Sequence, residues 1–129
     1  MKRYILSLIA IVFASGMTAF TKTESDVAPD ATYTFYYIAP GGTDFSQLAV
    51  QNKANWISNP GTLPTCNGAN KACRVEVTDT YTDLDGSGVR VFKTSGSVAN
   101  IVADEGNMAN LYVPIVASST GLQGKTDRP

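Results

Sequence analysis

The run Thr32-Tyr33-Thr34-Phe35-Tyr36-Tyr37-Ile38 narrows what this chain can fold into more than any other segment. Its aromatic and β-branched side chains suit a pleated surface and crowd a helix, and Pro40-Gly41-Gly42 closes it. Strand alternation puts Tyr33, Phe35 and Tyr37 on one face and Thr34, Tyr36 and Ile38 on the other. Both faces are largely apolar or aromatic, which predicts an interior strand of a sheet covered on both sides.

The downstream pattern extends the β reading. Arg74-Val75-Glu76-Val77-Thr78 alternates, with Val75 and Val77 facing in, and Val89-Arg90-Val91-Phe92-Lys93 alternates again. The turn Asp83-Leu84-Asp85-Gly86-Ser87-Gly88 lies between them, so the two runs are expected to pair as a hairpin across it. Leu111-Tyr112-Val113-Pro114-Ile115-Val116 reads as a further strand, where Pro114 lacks a ladder donor and implies an edge or a bulge. In Thr43–Val50, Asp44 and Gln47 resemble a helix capping pair, but the alternation of Leu48 and Val50 favours a strand. From Ser97 to Glu105, Val98, Ile101 and Val102 have helical spacing between a capping Ser97 and a terminating Gly106, against an irregular strand. The expected fold is mainly β: a small antiparallel sandwich or partly open barrel of about five or six strands, with room for one short helix and one disulfide loop.

The two ends are expected to stay outside that domain. Lys2 and Arg3 precede an apolar run from Tyr4 to Phe13, broken only by Ser7, and the small-residue stretch Ala14–Ala19 follows. A run of about ten residues is too short to cross a hydrocarbon core, which needs roughly twenty. Residues 1–19 therefore read as a secretory signal peptide, cleaved after Ala19 or after Gly16. Residues 20–31 are polar and read as a flexible leader, 32–117 as a single β-rich domain, and 118–129 as a flexible tail. The implied location is outside the cytoplasm, in the periplasm or the medium, with no stable membrane anchor after cleavage.

Charge and histidine content exclude several functions. Loss of Lys2 and Arg3 leaves eight basic against eleven acidic residues, a mature net charge of about −3. Without clusters of Lys or Arg there is no electrostatic footprint for nucleic acid. The chain holds no histidine, which removes Ser-His-Asp and Cys-His catalysis and any His-containing zinc site. The expectation is a protein that is not an enzyme and carries no cofactor or metal.

Cys66 and Cys73 flank a loop containing Asn67-Gly68, a strong turn former, so the chain can reverse and bring the sulfurs together. In an oxidising compartment an even pair predicts a structural disulfide. Asp83, Asp85 and Gly86 fill three positions of a calcium loop, but Tyr81 and Phe92 stand where oxygen ligands are needed; an acidic hairpin loop is the preferred reading. Asp104-Glu105 are adjacent on an extended segment and point to opposite faces, a poor arrangement for glycoside chemistry. Tyr33, Tyr36 and Trp56 form the candidate ligand platform, since aromatic faces can stack on sugar rings. Aromatic strand residues more often pack in a core, and Trp56 is expected there, next to the disulfide loop.

The segment Phe13–Phe20, the stretch Asn52-Lys53-Ala54-Asn55-Trp56, and Cys66 to Cys73 followed by Val75-Glu76-Val77 resemble a group of small exported two-cysteine proteins of unknown function from Gram-negative bacteria. The resemblance covers roughly residues 1–78. It implies export and a paired-cysteine loop, and it carries no activity. The expected function is a non-catalytic structural or interaction role, with a glycan- or peptide-binding module as the alternative and a glycan or a protein as the partner.

Overall fold

The structure, a computed structural model, describes residues 30–129. The expected signal peptide and most of the expected leader lie outside the described residues. In chain order the strands are β1 (Thr32–Tyr37), β2 (Trp56–Ile57), β3 (Lys71–Thr78), β4 (Thr82–Leu84), β5 (Arg90–Phe92), β6 (Ala103–Glu105), β7 (Tyr112–Pro114) and β8 (Leu122–Arg128). One short helix, α1 (Gln47–Gln51), stands between β1 and β2. The principal sheet has the order β2-β1-β3-β8, and β4-β5 and β6-β7 form two separate ribbons. Every named pairing is antiparallel. The fold is mainly β, as the sequence predicts, and its sheets are open, not closed into a barrel.

The aromatic run forms β1, and its alternation decides the core. Phe35 and Tyr37 are fully buried, joined from β3 by Val75 and Val77 and from α1 by Val50. Removing a large apolar side chain from water contributes about 1.5–3 kcal/mol, so these residues are a principal source of stability. Phe35 packs on Phe92 of β5 with ring centroids 4.3 Å apart, and Tyr37 packs on Trp56 at 5.1 Å. The opposite face departs from expectation. Thr34 and Tyr36 are half-buried there and Ile38 is exposed. The register sets Thr34 against Glu76 and Tyr36 against Arg74, and Arg74 Nε donates to Thr126 Oγ1. A face carrying these charges stays solvated, so β1 is interior to the sheet but covered on one side only.

Three further expectations are corrected, and one open alternative is decided. Residues 44–50 do not form a strand: Leu48 is 81% exposed while Ala49 and Val50 are both buried, a pattern that only helical rotation allows. Orphan carbonyls of α1 accept hydrogen bonds from Asn55 Nδ2, to Ala49, and from Trp56 Nε1, to Val50. The Val75 and Val91 runs do not pair with each other. β3 lies between β1 and β8, while the acidic loop joins β4 to β5 with Thr82 opposite Phe92. For residues 97–105, where the sequence leaves helix and irregular strand open, the chain is extended: Ala99, Ile101 and Ala103 are buried in alternation, and β6 pairs with β7. Pro114 ends β7 in a two-stranded ribbon, where its missing donor interrupts no ladder.

The third correction concerns the C-terminus. Residues 118–129 are not a frayed tail, because Leu122–Arg128 is β8 and pairs with β3 along its length. Within β8 only Leu122 is apolar, so backbone pairing holds what side-chain burial does not. The disulfide loop completes the attachment: Gly68 N–H donates to Asp127 O at 2.8 Å and Asn70 N–H to Arg128 O at 2.9 Å. A Cβ on Gly68 would collide with the backbone of Arg128 and Pro129, so glycine is required at this close approach.

Candidate functional site

Cys66 and Cys73 are bonded, with Cα atoms 5.6 Å apart and Cys73 fully buried. The pair sits where the loop meets β8, which is a structural position. Asp83 and Asp85 serve their own hairpin. Asp83 Oδ1 accepts from Leu84 N–H, and Asp85 Oδ1 accepts from Ser87 N–H at 2.8 Å and from Val89 N–H at 2.9 Å. Asp104 Oδ1 accepts from Glu105 N–H, and Glu105 Oε1 from Asn110 N–H. Among the described residues, no three His, Cys, Asp or Glu side chains converge as a metal-binding group.

The structure does not bring Tyr33, Tyr36 and Trp56 together. Residues opposite each other in a pair share a face. Trp56 stands opposite Tyr37, and Tyr33 opposite Val77, on the inner face; Tyr36 stands opposite Ile57 on the outer one. Trp56 is 4% exposed, so its ring offers no stacking surface. It lies on the far side of β1 from β3 and its Cys73, not against the disulfide loop. Tyr33 is occupied by Arg90, whose guanidinium carbon lies 3.9 Å from the ring centroid and whose Nη2 donates to the phenolic oxygen. Tyr33 and Tyr36 are both half-buried, on opposite faces of β1.

A different site emerges where β2 and β5 approach. β2 ends the principal sheet and β5 belongs to a two-stranded ribbon, so each presents a free edge. Ser58 Oγ donates to Arg90 O at 2.7 Å and ties the two together. Between them lies a cleft of about 400 Å³ with a largely apolar wall: Ile57, Val89 and Val91 on its accessible side, Trp56 and Phe92 beneath. Lys53, Arg90 and Lys93 line it as cations and Asp85 as the acid. Arg90 is paired with Asp79 at 2.9 Å. Lys53 Nζ donates to Ala99 O and Lys93 Nζ to Thr80 O, neutral carbonyls that leave both charges uncompensated. Among the described residues neither lysine forms a salt bridge. Sequence reading missed this site because positions 53, 90 and 93 meet only after two separate sheets are built.

A second cluster surrounds Tyr37 and serves packing. Its hydroxyl donates to Asp44 O at 2.7 Å, and burial pushes its ionisation up to about 12, with the Asp44 charge acting in the same direction. Arg128 Nη2 donates to Tyr37 O, and burial lowers the guanidinium from its usual range. Asp127 is 5% exposed and burial raises its carboxyl, opposed by Lys125 at 2.7 Å. Asp44 is held low, chiefly by the Ser46 N–H it accepts.

Comparison of the chain with protein-family models, with curated proteins and with solved structures gives no match.

Proposed function

We propose that this is an exported, non-catalytic interaction protein that binds its partner in the cleft between β2 and β5. The observation that carries the reading is that cleft: an apolar wall between two free strand edges, with uncompensated lysines at Lys53 and Lys93. Ligand sites combine apolar walls with a few placed polar groups, and this one has both. Export is supported by the N-terminal pattern and by the Cys66–Cys73 bond, which persists in oxidising compartments. No helix among the described residues is long and apolar enough to cross a membrane.

A glycan platform built on Tyr33, Tyr36 and Trp56 is disfavoured, since the three do not share an accessible face. The test is Trp56 fluorescence of the oxidised protein, titrated with soluble fractions of the cell envelope, alongside Val91→Phe, which fills the cleft from a partly exposed position. A saturable change in emission that Val91→Phe abolishes supports the reading. An emission that no fraction alters, or a response equal in the variant, counts against it.

A further inference from the structure

We propose that the cleft takes an extended acidic segment of a partner polypeptide, with an aliphatic side chain against Ile57, Val89 and Val91 and carboxylates on Lys53 and Lys93. The inference rests on the cleft reading above and names its ligand class. Charge sets the sign of the ligand. The side chains of the cleft hold three cations against Asp85, and with Arg90 matched to Asp79 the unmatched positive charge belongs to the two lysines. An ammonium bonded to a neutral carbonyl keeps two further donors for an incoming carboxylate.

The wall then selects peptide over sugar. A pyranose needs an open aromatic face, and here Trp56 and Phe92 are only 4% and 7% exposed. The accessible surface is aliphatic, with Ile57 at 39% and Val91 at 37%. It suits a branched aliphatic side chain. β2 and β5 are each paired on one side only, but Trp56 N–H already donates to Lys53 O and Arg90 O already accepts from Ser58 Oγ, so an extended chain in the cleft is held chiefly by its side chains. Alternation in an extended ligand would place every second side chain on the apolar wall. The neighbouring residues then face the rim.

The experiment uses the oxidised protein and an end-blocked synthetic peptide alternating glutamate and valine, read by Trp56 emission and by chemical shifts of the Lys53 and Lys93 ammonium groups. The expected result is saturable binding that weakens with added salt, and that Lys53→Gln and Lys93→Gln each weaken about two- to five-fold, the range of a single exposed ion pair. Both lysines are half-buried, and cooperative thermal unfolding of each variant verifies that it is folded. The inference is overturned if the peptide does not saturate, if a lysine–valine peptide binds equally, or if neither variant differs from the parent. Tighter binding of oligogalacturonate, lost in both variants and in Val91→Phe, overturns the peptide assignment and leaves the cleft reading standing. Self-association of the protein alone that Val91→Phe abolishes overturns it in favour of a second copy.

Discussion

At the scale of single residues, burial separates what packs from what can act. Phe35 shows the first kind: fully buried, and in contact with Phe92 across two sheets. Phe35→Ala removes that contact and leaves a cavity, a loss of about 3–5 kcal/mol. Against a total stability of about 5–15 kcal/mol for a domain, urea denaturation should show a protein close to unfolded. A midpoint within experimental error of the parent would mean that the Phe35–Phe92 contact does not join the sheets. Asp127 illustrates the opposite case, a charge kept where it is costly. Its carboxyl is raised mainly by burial, so the folded state holds the proton more tightly than the unfolded one. Such a group adds stability that is fully present below its unfolded value, near 4, and is lost as pH rises through the folded value. Asp127→Asn should therefore flatten the fall in thermal midpoint from about pH 4 upward. A variant whose acid limb still falls as steeply as the parent's would remove Asp127 from that account. The role of Trp56 as a core residue was legible from its type and context. Its distance from the disulfide loop was not, because that depends on which strand separates the two.

At the scale of elements, those with strong apolar alternation could be read from sequence, and those held by their neighbours could not. β1 and β3 alternate visibly and were legible. β8 reads as Leu122-Gln123-Gly124-Lys125-Thr126-Asp127-Arg128, without an apolar face, and it is a strand only because β3 and the disulfide loop offer it backbone partners. α1 was obscured by Leu48, which mimics strand alternation yet points to solvent. The loop between β4 and β5 was recognisable as a hairpin turn, but its incoming strand was misplaced: after β3 the chain makes a turn over Asp79–Tyr81 and begins β4 at Thr82. The dependence of β8 on the loop gives a prediction about order. Replacing both Cys66 and Cys73 by serine should cost about 2.5 kcal/mol by loop-closure bookkeeping for eight residues. Hydrogen exchange should accelerate first at Gly68 and Asn70, whose amides bond to β8, and at the β8 amides paired with β3. The β1–β3 ladder, which buries Phe35, Val75 and Val77, should remain the slowest. Uniform acceleration across all strands would show that the loop stabilises the whole fold without pinning β8.

At the scale of the whole molecule, the absence of histidine acts together with the buried tyrosine. No side chain of an ordinary type titrates between the carboxylates and the far alkaline range except a free thiol, and both cysteines are bonded. Apart from the contribution of Asp127, stability should accordingly be level from about pH 6 to about pH 9. The upper limit comes from Tyr37. Its folded ionisation at about 12 lies above the ordinary value of 10.0, so its contribution is complete below that ordinary value and is lost as pH rises through the folded one. The cause is local: the ring is buried against Phe45 and Trp56, and the hydroxyl donates to Asp44 O. Ionisation would place a charge in the core that joins β1, β2 and α1, so loss of this group's proton should unfold the domain cooperatively. Thermal midpoints measured across the alkaline range should begin to fall above about pH 10, and Tyr37→Phe should lessen that fall at the expense of a lower midpoint at neutrality, because the hydrogen bond to Asp44 is gone. An alkaline limb identical in Tyr37→Phe would assign the transition to other groups. The cleft should respond differently. Two lysines without an ion-pair partner among the described residues line it, so affinity for an acidic ligand should fall with added salt. A fold nearly level in pH and a site sensitive to ionic strength are two consequences of the same composition: no histidine, two bonded cysteines, and buried titratable groups, Asp127 and Tyr37, that act on either side of neutrality.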